Sequence, residues 1–234
     1  MKRAALLGVL VAGFTAALAP GADVLVPKAP GALAVGPNGN LYIADQGRHE
    51  ILERLKDETF IAAGSEVLRL SGGVLARIAG SRRYDGILGI GGPATRAAAD
   101  SPDGLAFDRA GNLFIAGFAT KALLMIGRGG TMRLVDDQFY PRGDAGLVTA
   151  PDGTVLGMET TRVVRVSPVG VRTVVDFLRR TVGGIEHFLP NGITVAPNGD
   201  VYLDTDNGNG WVNRTAIIVL HPNGRIRVLW EAPR

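Results

Sequence analysis

Few residues in this chain have the types and spacing to do chemistry, and those that do fall in short polar turns. Asp204-Thr205-Asp206-Asn207-Gly208-Asn209-Gly210 begins as an EF-hand calcium loop does, because a hard cation gathers carboxylate and amide oxygens at alternate residues. The match then lapses. Glycine holds the fifth position, asparagine the sixth, and Thr215 stands at the twelfth, where a bidentate glutamate belongs. The same stretch reads equally as a polar exposed turn. His187 follows Glu186 and precedes Asn191 by four residues. An imidazole beside a carboxyl suits proton transfer near neutral pH, and a solvated loop histidine is the alternative. His49 and His221 occupy apparent turns.

Other chemistries are excluded by composition. With no cysteine in 234 residues there is no disulfide framework, no thiolate zinc site and no cysteine nucleophile. No G-x-S-x-G elbow, H-E-x-x-H pair or Walker loop occurs. Gly89-Ile90-Gly91-Gly92-Pro93-Ala94 fits a dinucleotide fingerprint only formally, since Pro93 and the lack of a βαβ context make it a loop. The arginines are scattered and no aromatic series interleaves with them, so no nucleic-acid footprint is expected.

The elements that must position these groups are short. Thirty-three glycines and 13 prolines separate apolar runs of three to seven residues, the pattern of an all-β chain with many tight turns. Pro190 to Asp206 (PNGITVAPNGDVYLDTD) holds a turn, a strand, a second turn and a second strand. Pro102 to Gly117 and Pro30 to Asp45 repeat it closely, and Gly143 to Glu159 does so more weakly. Aligned at Ala32, Gly104, Gly146 and Gly192, the units start 72, 42 and 46 residues apart. Four-stranded propeller blades repeat at roughly 40 to 50 residues. The second strands, LYIA, LFIA and VYLD, are apolar on both faces, as strands sandwiched between blades must be. The expectation is four blades plus one partial. The first takes its outer strands from Ile51 to Leu55 and Phe60 to Ala63, which leaves Val67 to Leu70 and Val74 to Ile78 as half of another unit. Val24 to Val26 is expected as a lone strand before the first unit.

The N-terminus reads as an export signal. Lys2-Arg3 precede an apolar run from Ala4 to Ala19 that ends in an A-x-A site. The run is too short for a spanning helix, which needs about 20 residues. The expected division is therefore a signal peptide at 1–19 and a propeller domain at 20–234, secreted or extracytoplasmic, with no membrane span after signal removal. Losing Lys2 and Arg3 lowers the formal charge from +3 to +1, so charge alone selects no partner.

Gly91 to Thr95 (GGPAT), Ser101 to Asp108 (SPDGLAFD) and Gly111 to Ala116 (GNLFIA) together resemble the linker and repeat of NHL-type β-propellers, with Ile90 where that family has an aspartate. The unit at Pro190 to Asp206 is similar to the related gluconolactonase and senescence-marker-protein-30 propellers. Together these stretches cover 36 of the 215 residues that follow the expected signal. The first resemblance implies a non-catalytic module that binds an extracellular protein, peptide or glycan, the reading the repeats favour. The second implies a hydrolase of lactones or esters whose Glu, Asn and Asp hold calcium or another divalent cation at the channel mouth. Asn191 matches that family's asparagine and Asp103 resembles its aspartate turn. The equivalent residues Gly31 and Ala145 carry no ligand, and no glutamate opens the first unit. In this reading the ion polarises the carbonyl and activates water, and His187 or Glu186 moves protons. Asn191 and Asp103 also read as turn residues capping their own backbones.

Overall fold

The computed structural model describes residues 30–35, 41–45, 51–55, 58–61, 66–71, 74–80, 87–98, 102–117, 120–141, 146–177, 188–205 and 216–231. The expected export signal, the strand at Val24 to Val26, Glu186, His187 and Asp206 lie outside them.

Four sheets of four antiparallel strands form, one per repeat. The first contains β1 (Pro30–Val35) and β2 (Leu41–Asp45). After it β3 (Ile51–Leu55) and β4 (Glu58–Ile61) pair as a separate hairpin. β5 (Glu66–Ser71) and β6 (Val74–Ala79) then complete the first sheet in the order β1-β2-β5-β6. The second comprises β7 (Pro102–Phe107), β8 (Leu113–Gly117), β9 (Ala122–Ile126) and β10 (Met132–Asp136). The third comprises β11 (Leu147–Thr149), β12 (Val155–Met158), β13 (Arg162–Ser167) and β14 (Gly170–Asp176). The fourth comprises β15 (Gly192–Val195), β16 (Val201–Thr205), β17 (Ala216–Leu220) and β18 (Ile226–Glu231).

The four blades are as expected, but the two hairpins of the first repeat exchange roles. The extra pair of strands is β3–β4, inserted between the second and third strands of the blade, and β5–β6 is the blade's own outer half. Burial explains the choice. The third strand of a blade is covered on both sides, and Glu53-Arg54 in β3 would place a charge on each face. β5 (EVLRLS) has one charge in its interior and the pattern of β13 (RVVRVS). The outer pairs also share a β-bulge. Ile78, Val135, Val174 and Leu229 are each the extra residue in the fourth strand at the same distance from the turn, whereas the irregularity of the β3–β4 pair falls in β3.

The turns are built alike. In 108–112, 150–154, 196–200 and 221–225 the first N–H donates to the last carbonyl, and a glycine N–H closes the bend back on the first carbonyl. Gly111, Gly153, Gly199 and Gly224 have φ of 79 to 84°, a left-handed conformation that favours glycine. In three of these turns the polar residue before the glycine fixes the next backbone N–H. Asp152, Asn198 and Asn223 accept from Thr154, Asp200 and Arg225 at 2.8, 3.1 and 3.0 Å.

Core packing lies between blades. Leu113, Ile115, Leu124 and Ile126 pack towards the first blade with Val67 and Ala79. From the other face of the same strands Phe114, Leu123 and Met125 meet Leu147, Val155 and Val164 of the third. Leu156, Met158 and Val163 meet Val201, Leu203 and Ile218 of the fourth. The GGPAT linker is pinned to β10, where Gly91 N–H donates to Met132 and Met132 N–H to Gly92 at 2.8 and 3.0 Å. This delivers Ala94 and Ala97 into the core between the first two blades.

Candidate functional site

Two ends of the blades carry polar groups. At the end where first strands begin, Asn191 N–H donates to the Asp204 carbonyl at 2.8 Å, and the Asp204 side chain lies against Gly192, where an added Cβ would collide with it. Asp204 and Thr205 belong to β16 rather than to a loop, and the remainder of the EF-hand-like stretch lies outside the described residues. Asn191 and Asp204 are thus brought together by one strand pair. Asp103 is the extra residue of a bulge in β7, between the pairs Pro102↔Gly117 and Gly104↔Ala116. β7 contacts β11 and β11 contacts β15, so the third blade separates Asp103 from Asn191.

The same end holds a group that the sequence analysis missed. Glu159, following β12, is 3% exposed. Its carboxylate pairs with Arg162 at 2.6 Å and accepts from Tyr140 N–H at 3.4 Å. Burial pushes its pKa up, and the Arg162 guanidinium opposes that shift. The signal was a glutamate ending the apolar strand VLGM. Among the described residues no three His, Cys, Asp or Glu side chains converge as a metal-holding cluster.

At the opposite, turn-bearing end a cleft of about 360 Å³ opens between the third and fourth blades, within the range of ligand pockets. Its origin is legible in two residues. Between the second and third blades, Arg109 N–H donates to the Gly153 carbonyl at 3.0 Å and the Thr149 hydroxyl to the Phe107 carbonyl at 2.9 Å. One repeat later these donors are replaced by Pro151, which has no N–H, and Val195, which has no hydroxyl. Gly153 is packed by the Arg109 backbone, whereas only Pro222, from the fourth blade itself, comes near a Cβ built on Gly199. The two turns therefore stand apart.

Leu156, Val174, Val201 and Leu220 give the cleft an aliphatic lining, and Asp152, Arg165, Asn198 and His221 add polar groups. His221 Nδ1 lies 2.7 Å from the carboxylate of Asp200, which is 9% exposed and also accepts from the Asn198 amide at 2.9 Å. The His221 bond, then that of Asn198, holds the Asp200 carboxyl below its ordinary range. A carboxylate only accepts, so Nδ1 carries a proton towards Asp200 and the ring is held in one orientation. The pairing follows from register: Val201 opposes Leu220, so the residues just beyond, Asp200 and His221, must meet.

No family model and no curated protein matches the chain. Solved structures do. A nidogen/laminin complex aligns at TM-score 0.53 and 18% identity over 85% of this chain and 63% of its own. The catalytically inactive virginiamycin B lyase from Staphylococcus aureus with quinupristin aligns at 0.50 and 17% over 86% and 55%. A gluconolactonase from Xanthomonas campestris aligns at 0.51 and 14% over 86% and 61%. The chain has the β-propeller fold. The expected likeness to gluconolactonase-type propellers is met at the level of fold, and the chain spans 55 to 63% of the length of these three. No helix among the described residues is long and apolar enough to cross a membrane.

Proposed function

We propose that this propeller is an exported, non-catalytic binding module that holds a segment of a protein, peptide or glycan partner in the cleft between its third and fourth blades. The observation that carries this is the cleft itself, an aliphatic lining of about 360 Å³ edged by turn side chains fixed through their own hydrogen bonds. Preorganised polar groups around an apolar floor lose little entropy on binding. Export rests on Lys2-Arg3 and the apolar run after them. The proteins of similar fold include both a binding complex and enzymes. The test is selection of ligands on the immobilised protein from displayed peptides and a glycan array, followed by rebinding to Val174→Arg. Val174 is a half-exposed bulge residue lining the cleft, so the arginine blocks it without entering the core. Ligands that fail on the variant support the role. Ligands indifferent to it, or lactone hydrolysis abolished by chelator and by Asn191→Ala, overturn it.

The meeting of Asn191 and Asp204 at one strand end favours a second reading, a metal-dependent lactone or ester hydrolase of the gluconolactonase type. In this reading the amide oxygen of Asn191 and the carboxylate of Asp204 would be ligands for calcium, with Asp103 as a further ligand and His187 or Glu186 moving protons. Calorimetric titration with calcium tests the ion independently of any substrate.

A further inference from the structure

Resting on that binding role, the cleft also restricts the chemistry of its occupant. The Gly199 carbonyl stands where the Gly153 carbonyl takes a main-chain N–H from Arg109 one repeat earlier, and Pro151 has none to give. His221, with Nδ1 committed to Asp200, adds a second polar group to the lining. Arg165, held at 3.4 Å from the Thr154 hydroxyl by one guanidinium nitrogen, has further N–H groups to donate. Asp152 and Arg165 line the same cleft with opposite charges, so it imposes no net charge on what enters. Between these polar groups Leu156, Val174, Val201 and Leu220 form an aliphatic floor. A saccharide lying on that floor would press hydroxyls against aliphatic carbon, whereas a peptide can set an apolar side chain there.

We propose that the cleft binds an uncharged, extended peptide segment, with a ligand main-chain N–H on the Gly199 carbonyl, a ligand carbonyl on Arg165 and an apolar side chain on the aliphatic floor. The peptide takes the place that the Arg109 turn occupies against the third blade.

The test is an amide NMR titration of isotope-labelled protein with three probes: the peptide Ac-Ser-Val-Gly-Val-Ser-NH2, the same peptide N-methylated at both valines, and maltotriose. The expected result is movement of the Asn198, Gly199 and Val174 resonances with the first peptide. N-methylation should weaken it about tenfold, the worth of one hydrogen bond. Pro151→Ala, whose restored N–H competes for the Gly199 carbonyl, should weaken it similarly while the rest of the spectrum stays unchanged. Equal binding of the N-methylated peptide, or no effect of Pro151→Ala, overturns the carbonyl contact. Movement of the same resonances with maltotriose and not with peptide overturns the peptide assignment but leaves the binding role standing. No movement of these resonances with any probe overturns both.

Discussion

Two carboxyl groups respond to pH in opposite directions because their surroundings differ. Asp200 has its folded pKa lowered from 3.8, first by the His221 hydrogen bond. The unfolded chain then takes up the proton before the folded one does, so the stabilisation is present above 3.8 and is lost as pH falls through the lowered value. Glu159 is raised from 4.5, first by burial. Here the folded chain holds the proton longer, and stability falls as pH rises from 4.5 through the raised value. Urea unfolding across the acid range should show the first slope flattened in Asp200→Asn and the second in Glu159→Gln; unchanged slopes would deny either assignment. At the end of the blades that Glu159 shares with Asn191, calorimetry should find stoichiometric calcium binding lost in Asn191→Ala and in Asp204→Ala if the hydrolase reading holds. Heat of binding that survives both substitutions would place the ion elsewhere.

At the scale of the element, the hydrogen bonds between turns decide which blades close on each other. Thr149→Val removes the hydroxyl that ties the third blade to the Phe107 carbonyl and should cost about 1 kcal/mol in urea unfolding. A neutral result would mean that this hydroxyl adds nothing to the Arg109 main-chain bond and the packing between the blades. The inserted hairpin gives a second test. Since β3 and β4 pair with each other and not with the first sheet, replacing 46–65 by the four residues 118–121 of the second blade should leave a cooperatively folded protein. Loss of folding would show that the hairpin supports the blade. The hairpin was visible in the sequence, but its place was not. Apolar runs of equal length compete for one sheet position, and the choice depends on which strand can bury both faces without a charge.

For the whole molecule, stability resides in the layers between blades. Leu123 is fully buried between the second and third, and Leu123→Ala should cost about 2 to 5 kcal/mol by opening a cavity that the stiff sheets cannot close. A change below about 1 kcal/mol would mean that the layer relaxes freely.

The sequence by itself determined the all-β class, the repeat, the positions of the turns and the strands buried on both faces. Each of these follows from local rules: glycine where φ is positive, proline and asparagine at bends, unbroken apolar runs between them. It also held the reason for the cleft, since Pro151 and Val195 lack the donors that Arg109 and Thr149 supply. Only the tertiary structure decided that β5 and β6, not β3 and β4, complete the first blade. It alone put Asp204 beside Asn191 and Asp200 beside His221, and opened the space between the third and fourth blades. Those outcomes depend on register and on the approach of residues far apart in the chain, and no local preference encodes the distance between two separate turns.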